Sequence, residues 1–118
     1  MEYWKVSAQG QNIVITCKGH DKQRTIQPAL DEFRLLATER STFAIIADLR
    51  EMTGYESESR VHWQTLFREF RGRIKRLVLV GARSALIRMG AAAVGAFAGV
   101  PVKFVDSWDD VTDLEQSA

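Results

Sequence analysis

Two kinds of apolar pattern run along the chain, and together they assign its elements. Phe43 to Ala47 and Leu77 to Val80 are continuous apolar runs with β-branched content, the pattern of strands covered on both faces in a parallel sheet. Trp4 to Ala8 and Ile13 to Cys17 are shorter β-prone runs separated by Gly10, Gln11 and Asn12, which predicts an N-terminal hairpin. Elsewhere the spacing is helical. Ile26, Ala29, Leu30, Phe33, Leu36 and Ala37 form the stripe of a first helix that Thr25 opens, with Pro28 tolerated in its first turn. Trp63, Leu66, Phe67 and Phe70 mark the buried face of a second helix, while Arg60, Arg68, Glu69 and Arg71 fall largely on its wetter side.

Ser84 begins a third helix that runs to the neighbourhood of Ala98. Pro101 and a strand from Val102 to Val105 follow, and Ser107 with Asp110 has capping-box spacing before a short last helix carrying Trp108, Val111 and Leu114. The predicted order is ββαβαβαβα. Right-handed crossovers then give one mixed α/β sheet, with an antiparallel hairpin at one side and parallel strands beyond it. No linker, repeat or low-complexity tract divides the chain, so residues 1–118 are expected to form a single domain.

Composition narrows the class without naming a reaction. At 118 residues with 46% hydrophobic and 26% charged side chains, the chain has enough apolar material to fold without staples. A formal charge of +1 gives no overall attraction to nucleic acid or anionic membrane, and no nucleic-acid reading module is present. Cys17 is the single cysteine, which excludes an internal disulfide and a cysteine-based zinc cluster. The opening residues MEYWKV lack a basic segment followed by a long apolar one, and a reducing, cytoplasmic location is expected. The longest uncharged run, Met89 to Val102, is shorter than the roughly 20 residues of a membrane span, so no stable membrane insertion is expected.

The most informative stretch is Phe43 to Arg60. Its apolar run stops at Asp48, a turn is expected, and Thr53, Tyr55, Ser57 and Ser59 gather where the second helix begins. Free N–H groups and the positive end of the helix dipole favour a bound or attached phosphate at such a place. A purely local reading is also available: Thr53 and Glu56 have capping-box spacing, and Ser57 or Ser59 could accept from the first free N–H groups. Tyr55 either closes over the core edge or presents a partner contact.

The element order and the segment ADLREMTGYESES resemble the STAS superfamily, which includes the SpoIIAA-like anti-sigma-factor antagonists and small stand-alone bacterial proteins with a SpoIIAA-like, or STAS/Sec14-like, fold. The likeness in topology covers nearly the whole chain. In the antagonists a loop after a strand delivers a phosphorylatable Ser or Thr to the next helix, usually in an Asp-Ser-Ser/Thr-Gly context. Glu56 and Ser57 stand where the Asp and the acceptor fall, whereas Glu58 and Ser59 replace the second hydroxyl and the Gly. The resemblance implies a non-enzymatic regulatory or protein-binding module, with a surface formed by Thr53, Tyr55, Glu56, Ser57 and Ser59, switched by phosphorylation at the start of the second helix.

The third helix supports a different reading. Its apolar residues lie on every face, with Gly90 and Gly95 inside it and Arg88 as its one internal charge. Either it packs closely against the sheet and a neighbouring helix, or part of it faces outward as a homodimer surface or lines a pocket for a small apolar ligand or lipid.

Three other features carry less. Arg68, Arg71, Arg73, Lys75 and Arg76 suit a helix C-terminus, or an acidic partner. The turn Gly81 to Ser84 lacks a nucleotide-binding motif, and His20, Asp21 and His62 have neither metal-ligand spacing nor a paired nucleophile. No catalytic residue, cofactor or metal is therefore expected, and the protein partner is unnamed by the sequence.

Overall fold

The computed structural model describes residues 3–21 and 26–117. Its elements are β1 (Tyr3–Gln9), β2 (Asn12–Asp21), α1 (Gln27–Thr38), β3 (Phe43–Tyr55), α2 (Ser57–Glu69), β4 (Ile74–Val80), α3 (Ala85–Ala98), β5 (Val102–Val105) and α4 (Trp108–Ser117). The order ββαβαβαβα is thus the one the apolar pattern predicts. The five strands form one sheet in the order β1-β2-β3-β4-β5, in which β1 and β2 are antiparallel and every other neighbouring pair is parallel.

Consecutive strand order has a direct consequence. Each parallel crossover steps to the next strand in the same direction, so crossovers of one hand bring α1, α2 and α3 to the same face. Strand alternation sends Ile13, Ile15, Cys17, Phe43, Ile45, Ala47, Leu77 and Leu79 into the core under those helices. The opposite face carries a smaller cluster, Val14, Ile46, Val78 and Val80, covered by Val111 of α4. The central strands are buried on both sides, which explains why their sequences are apolar without alternation.

Phe33 of α1 lies at the centre of the larger core, with the rings of Phe43, Trp63, Phe67 and Phe70 around it at centroid separations of 5.3 to 6.2 Å. Such edge and tilted contacts add to the burial they accompany. Outside the core, Arg34 bridges α1 to Glu69 of α2. Arg40 donates to the carbonyls of Gly10 (3.0 Å) and Gln11 (3.1 Å), which ties the end of α1 to the hairpin turn.

Several boundaries differ from expectation. The third strand does not stop at Asp48. It continues to Tyr55, because β2 also runs on to Asp21 and supplies a partner through Lys18–Glu51, Gly19–Met52, His20–Gly54 and Asp21–Tyr55, with two register shifts along the way. Pairing of β3 with β4 ends at Asp48–Val80, so the last part of β3 projects as a ribbon with β2 alone, and its polar residues reflect that exposure rather than a turn. In the first helix, Ile26 occupies the cap position without a side-chain hydrogen bond, and Thr25 lies outside the described residues.

The third helix is capped as its sequence suggests: Ser84 Oγ accepts from the N–H groups of Leu86 (3.1 Å) and Ile87 (3.4 Å). It buries Ile87, Gly90, Val94, Gly95 and Ala98, and leaves Leu86, Met89 and Phe97 exposed. Both interior glycines mark close approach. A Cβ on Gly95 would sit 2.2 Å from Val102 Cγ2, and one on Gly90 would sit 2.5 Å from the Cζ and hydroxyl of Tyr55.

Candidate functional site

The start of α2 is an uncapped helix end on the carboxyl side of the parallel strands. Glu56 holds the cap position in an extended conformation and makes no side-chain cap hydrogen bond. The capping reading of this stretch is therefore overturned. Thr53 is an exposed residue within β3, too early to reach the helix, Ser57 is the exposed first helical residue, and Ser59 is turned into the interior. Tyr55, at the end of β3, is half-buried against Gly90, and its hydroxyl donates to the Leu86 carbonyl at 3.4 Å. Of the five candidate residues, Ser57 and Thr53 face solvent, Tyr55 and Glu56 are half-buried and Ser59 is buried. Val61 of α2 and Leu86 and Met89 of α3 are exposed apolar side chains on the elements beside them.

Behind this surface lies an apolar cleft enclosing about 70 Å³. Its floor is the front face of the sheet, through Ile15, Ala47, Leu49, Leu77 and Leu79, and its walls come from Trp63 and Phe67 of α2 and Ile87 and Val94 of α3. Trp4, Met52, Tyr55, Arg60 and Ala91 are half-buried lining residues at its margin. Arg60, expected on the wetter side of α2, is instead half-buried and lines this cleft together with Met52 and Tyr55 of β3. Three polar atoms here are buried without a hydrogen-bond partner among the described residues: Ser59 Oγ, Arg60 Nε and Trp63 Nε1. Such atoms each cost about 1–3 kcal/mol, so a group of three on successive turns of one helix is a feature to be accounted for.

A second polar cluster lies on the opposite face of the sheet. Asp48 is buried, and its carboxylate accepts from Arg50 Nε (2.9 Å), Arg50 Nη2 (2.8 Å), the Arg50 backbone N–H (3.2 Å) and Trp108 Nε1 (3.1 Å). Burial pushes the carboxyl up, but the hydrogen bonds from the Arg50 side chain, from Trp108 and from the Arg50 backbone, with the charge of Arg50, outweigh it and hold Asp48 below the ordinary aspartate value. Sequence reading treated Asp48 only as the end of a strand. A single carboxylate closing an apolar run, two residues before an arginine, is the available signal; its other partner, Trp108, lies 60 residues away, where sequence spacing gives no guide.

The basic residues after α2 are dispersed. Arg68 lies over the Phe97 ring at 5.6 Å, and Arg73 lies over Phe70 at 5.7 Å and donates to the Ala37 carbonyl. Among the described residues, no group of three or more His, Cys, Asp and Glu side chains is placed to hold a metal, and no helix is long and apolar enough to cross a membrane.

No family model matches the sequence, and no curated protein matches it. Solved structures do. The anti-sigma factor antagonist SpoIIAA, in its unphosphorylated form, superposes with a TM-score of 0.72 at 13% identity, covering 98% of this chain and 99% of its own. An uncharacterised protein with a SpoIIAA-like fold from Shewanella loihica superposes with a TM-score of 0.67, also at 13% identity, covering 97% of this chain and 94% of its own. With its element order and its mixed five-stranded sheet, the chain has a SpoIIAA-like fold.

Proposed function

We propose that this protein is a non-enzymatic regulatory module that binds a protein partner through the end of β3, the start of α2 and the first turns of α3. The observation that carries the reading is Ser57: an exposed hydroxyl at the first position of an uncapped helix, in a fold shared along its whole length with an anti-sigma factor antagonist. A phosphate there would meet free N–H groups and the positive end of the helix dipole, so its charge is favourable to the helix while it alters the adjoining surface. Val61, Leu86 and Met89 supply exposed apolar area for a partner, and Tyr55 joins the end of β3 to α3 by its contact with Gly90 and Leu86.

The test is capture of a partner from a bacterial lysate by wild type, Ser57→Ala and Ser57→Asp. The reading requires that Ser57→Ala retain the partner and Ser57→Asp release it, with both variants folded. Sedimentation identifies one special case. If the wild type is a dimer that Ala96→Glu, on the exposed side of α3, converts to a folded monomer, the partner is a second copy of this chain.

A further inference from the structure

The two edges of the sheet are built differently. β5 is four residues long, opens after Pro101 and has α3 and α4 beside it, all of which blunt a strand edge. β1 is seven residues long, pairs with β2 without a register shift, contains no proline and carries one charge, Lys5. Among the described residues no strand pairs with its outer side. The hairpin fixes which groups that side presents. Gly10, at φ 58°, and Gln11 form a two-residue loop with the glycine first, and the residues that flank such a loop, Gln9 and Asn12, close it as a hydrogen-bonded pair. Alternation from that pair turns the N–H and C=O groups of Lys5 and Ser7 toward β2 and those of Val6 and Ala8 away from it. We propose that this edge joins two copies of the chain, with β1 antiparallel to the partner subunit's β1 in a register centred on Val6.

Self-complementarity selects a second copy as the occupant. Val6 opposite the partner subunit's Val6 makes a reciprocal pair of N–H···O=C bonds from groups that face outward in each copy. The same register sets Ala8 opposite the partner subunit's Trp4, small against large, and Lys5 opposite the partner subunit's Ser7, so no like charges meet; a register centred on Lys5 would set that residue against its own copy. Trp4 and Val6 pack against the larger core, so Lys5 and Ser7 lie on the opposite face, where α4 packs on β4 and β5. Val6 is half-buried and Ala8 exposed, so α1, which packs beside β1 on the core side, leaves the edge open. Pairing joins the sheets of the two copies into one, with β2 between the joint and β3, so both Ser57 surfaces stay free. This inference goes beyond partner binding at α2 and does not depend on it.

The test is sedimentation of the untagged full chain from about 10 μM to about 1 mM, a range that reaches the weak association expected of a small interface. The expected result is a monomer–dimer equilibrium in which amide exchange at Val6 and Ala8 slows as the dimer forms, while exchange at Lys5 and Ser7, whose N–H groups face β2, does not change. Charge at position 7 should act with opposite signs. Ser7→Lys sets a lysine against the partner subunit's Lys5 twice in each dimer and should weaken association by about threefold or more, and Ser7→Glu should strengthen it by about as much. Val6→Pro deletes an outward N–H on an edge strand, where proline is tolerated, and should abolish the dimer. Ala96→Glu, on α3, should leave the dimer as it is. Circular dichroism establishes that each variant is folded, and the two Ser7 variants decide the matter if Val6→Pro does not fold. A wild type that stays monomeric to about 1 mM, Ser7 variants that shift association in one direction or not at all, a folded Val6→Pro that still dimerises, or a dimer that Ala96→Glu dissociates would each overturn the proposal.

Discussion

The indole Nε1 of Trp108 donates to Oδ2 of Asp48 at 3.1 Å, joining the first residue of α4 to the middle of β3 across 60 positions of sequence. This bond, with the small cluster of Val14, Ile46, Val78, Val80 and Val111, anchors α4 to the back of the sheet. Asp48→Ala should destabilise the domain by on the order of 2 kcal/mol, chiefly because the Trp108 N–H and a backbone N–H lose their acceptor. Urea unfolding followed by tryptophan emission reads both the loss and the change around Trp108.

The same carboxylate predicts a pH dependence. Its value is lower in the folded protein than in the unfolded chain, so its contribution is fully present above the ordinary aspartate value of about 3.9 and is lost as pH falls through the lower folded value. Unfolding free energy measured between neutral pH and pH of about 3 should fall less steeply in Asp48→Asn than in wild type. Identical slopes would show that Asp48 is not the titrating group.

The two faces of the sheet should differ in sensitivity. Ile45 belongs to the large core beneath three helices, and Ile45→Ala is expected to cost about 2–5 kcal/mol. Val78, in the smaller cluster under α4, is also fully buried, but Val78→Ala removes less volume and should cost about 1–3 kcal/mol. A loss below about 1 kcal/mol at both positions in chemical denaturation would contradict the central placement of β3 and β4.

At the start of α2 the two serines should part company. Ser57→Ala removes an exposed side chain that makes no cap bond, and its effect on stability should stay within about 0.5 kcal/mol. Ser57→Asp should be equally mild, since a negative charge suits a helix N-terminus. Ser59→Ala is expected to be neutral or stabilising, because it deletes a buried hydroxyl that has no partner. A large loss from Ser57→Ala with preserved partner capture by Ser57→Asp would make Ser57 a structural residue and remove the proposed switch.

The two glycines of α3 give a further contrast. Alanine gains about 1 kcal/mol over glycine within a helix, but a Cβ at position 95 would overlap the branched side chain of Val102 and crowd the Val100 carbonyl. Gly95→Ala should therefore destabilise by on the order of 1–2 kcal/mol net. At Gly90 the obstacle is the far end of Tyr55, which can rotate outward, so Gly90→Ala should be close to neutral in thermal unfolding while exposing the tyrosine to solvent quenchers.

Much of this protein was legible in one dimension because burial writes itself into local pattern. A strand covered on both faces must be apolar at each position, as at Phe43 to Ala47 and Leu77 to Val80, and a helix covered on one face must repeat its apolar residues, as Trp63, Leu66 and Phe67 do. The Ser84 cap is equally local, since donor and acceptor lie within three residues. The rest depended on partners distant in sequence. Whether β3 ended at Asp48 or at Tyr55 was decided by the length of β2, and whether Arg60 met water or the cleft was decided by where the crossover set α2 on the sheet. The tertiary structure alone brought Trp108 to Asp48 and Tyr55 to Gly90, because hydrogen bonds and close packing depend on positions in space, to which residue spacing along the chain is no guide.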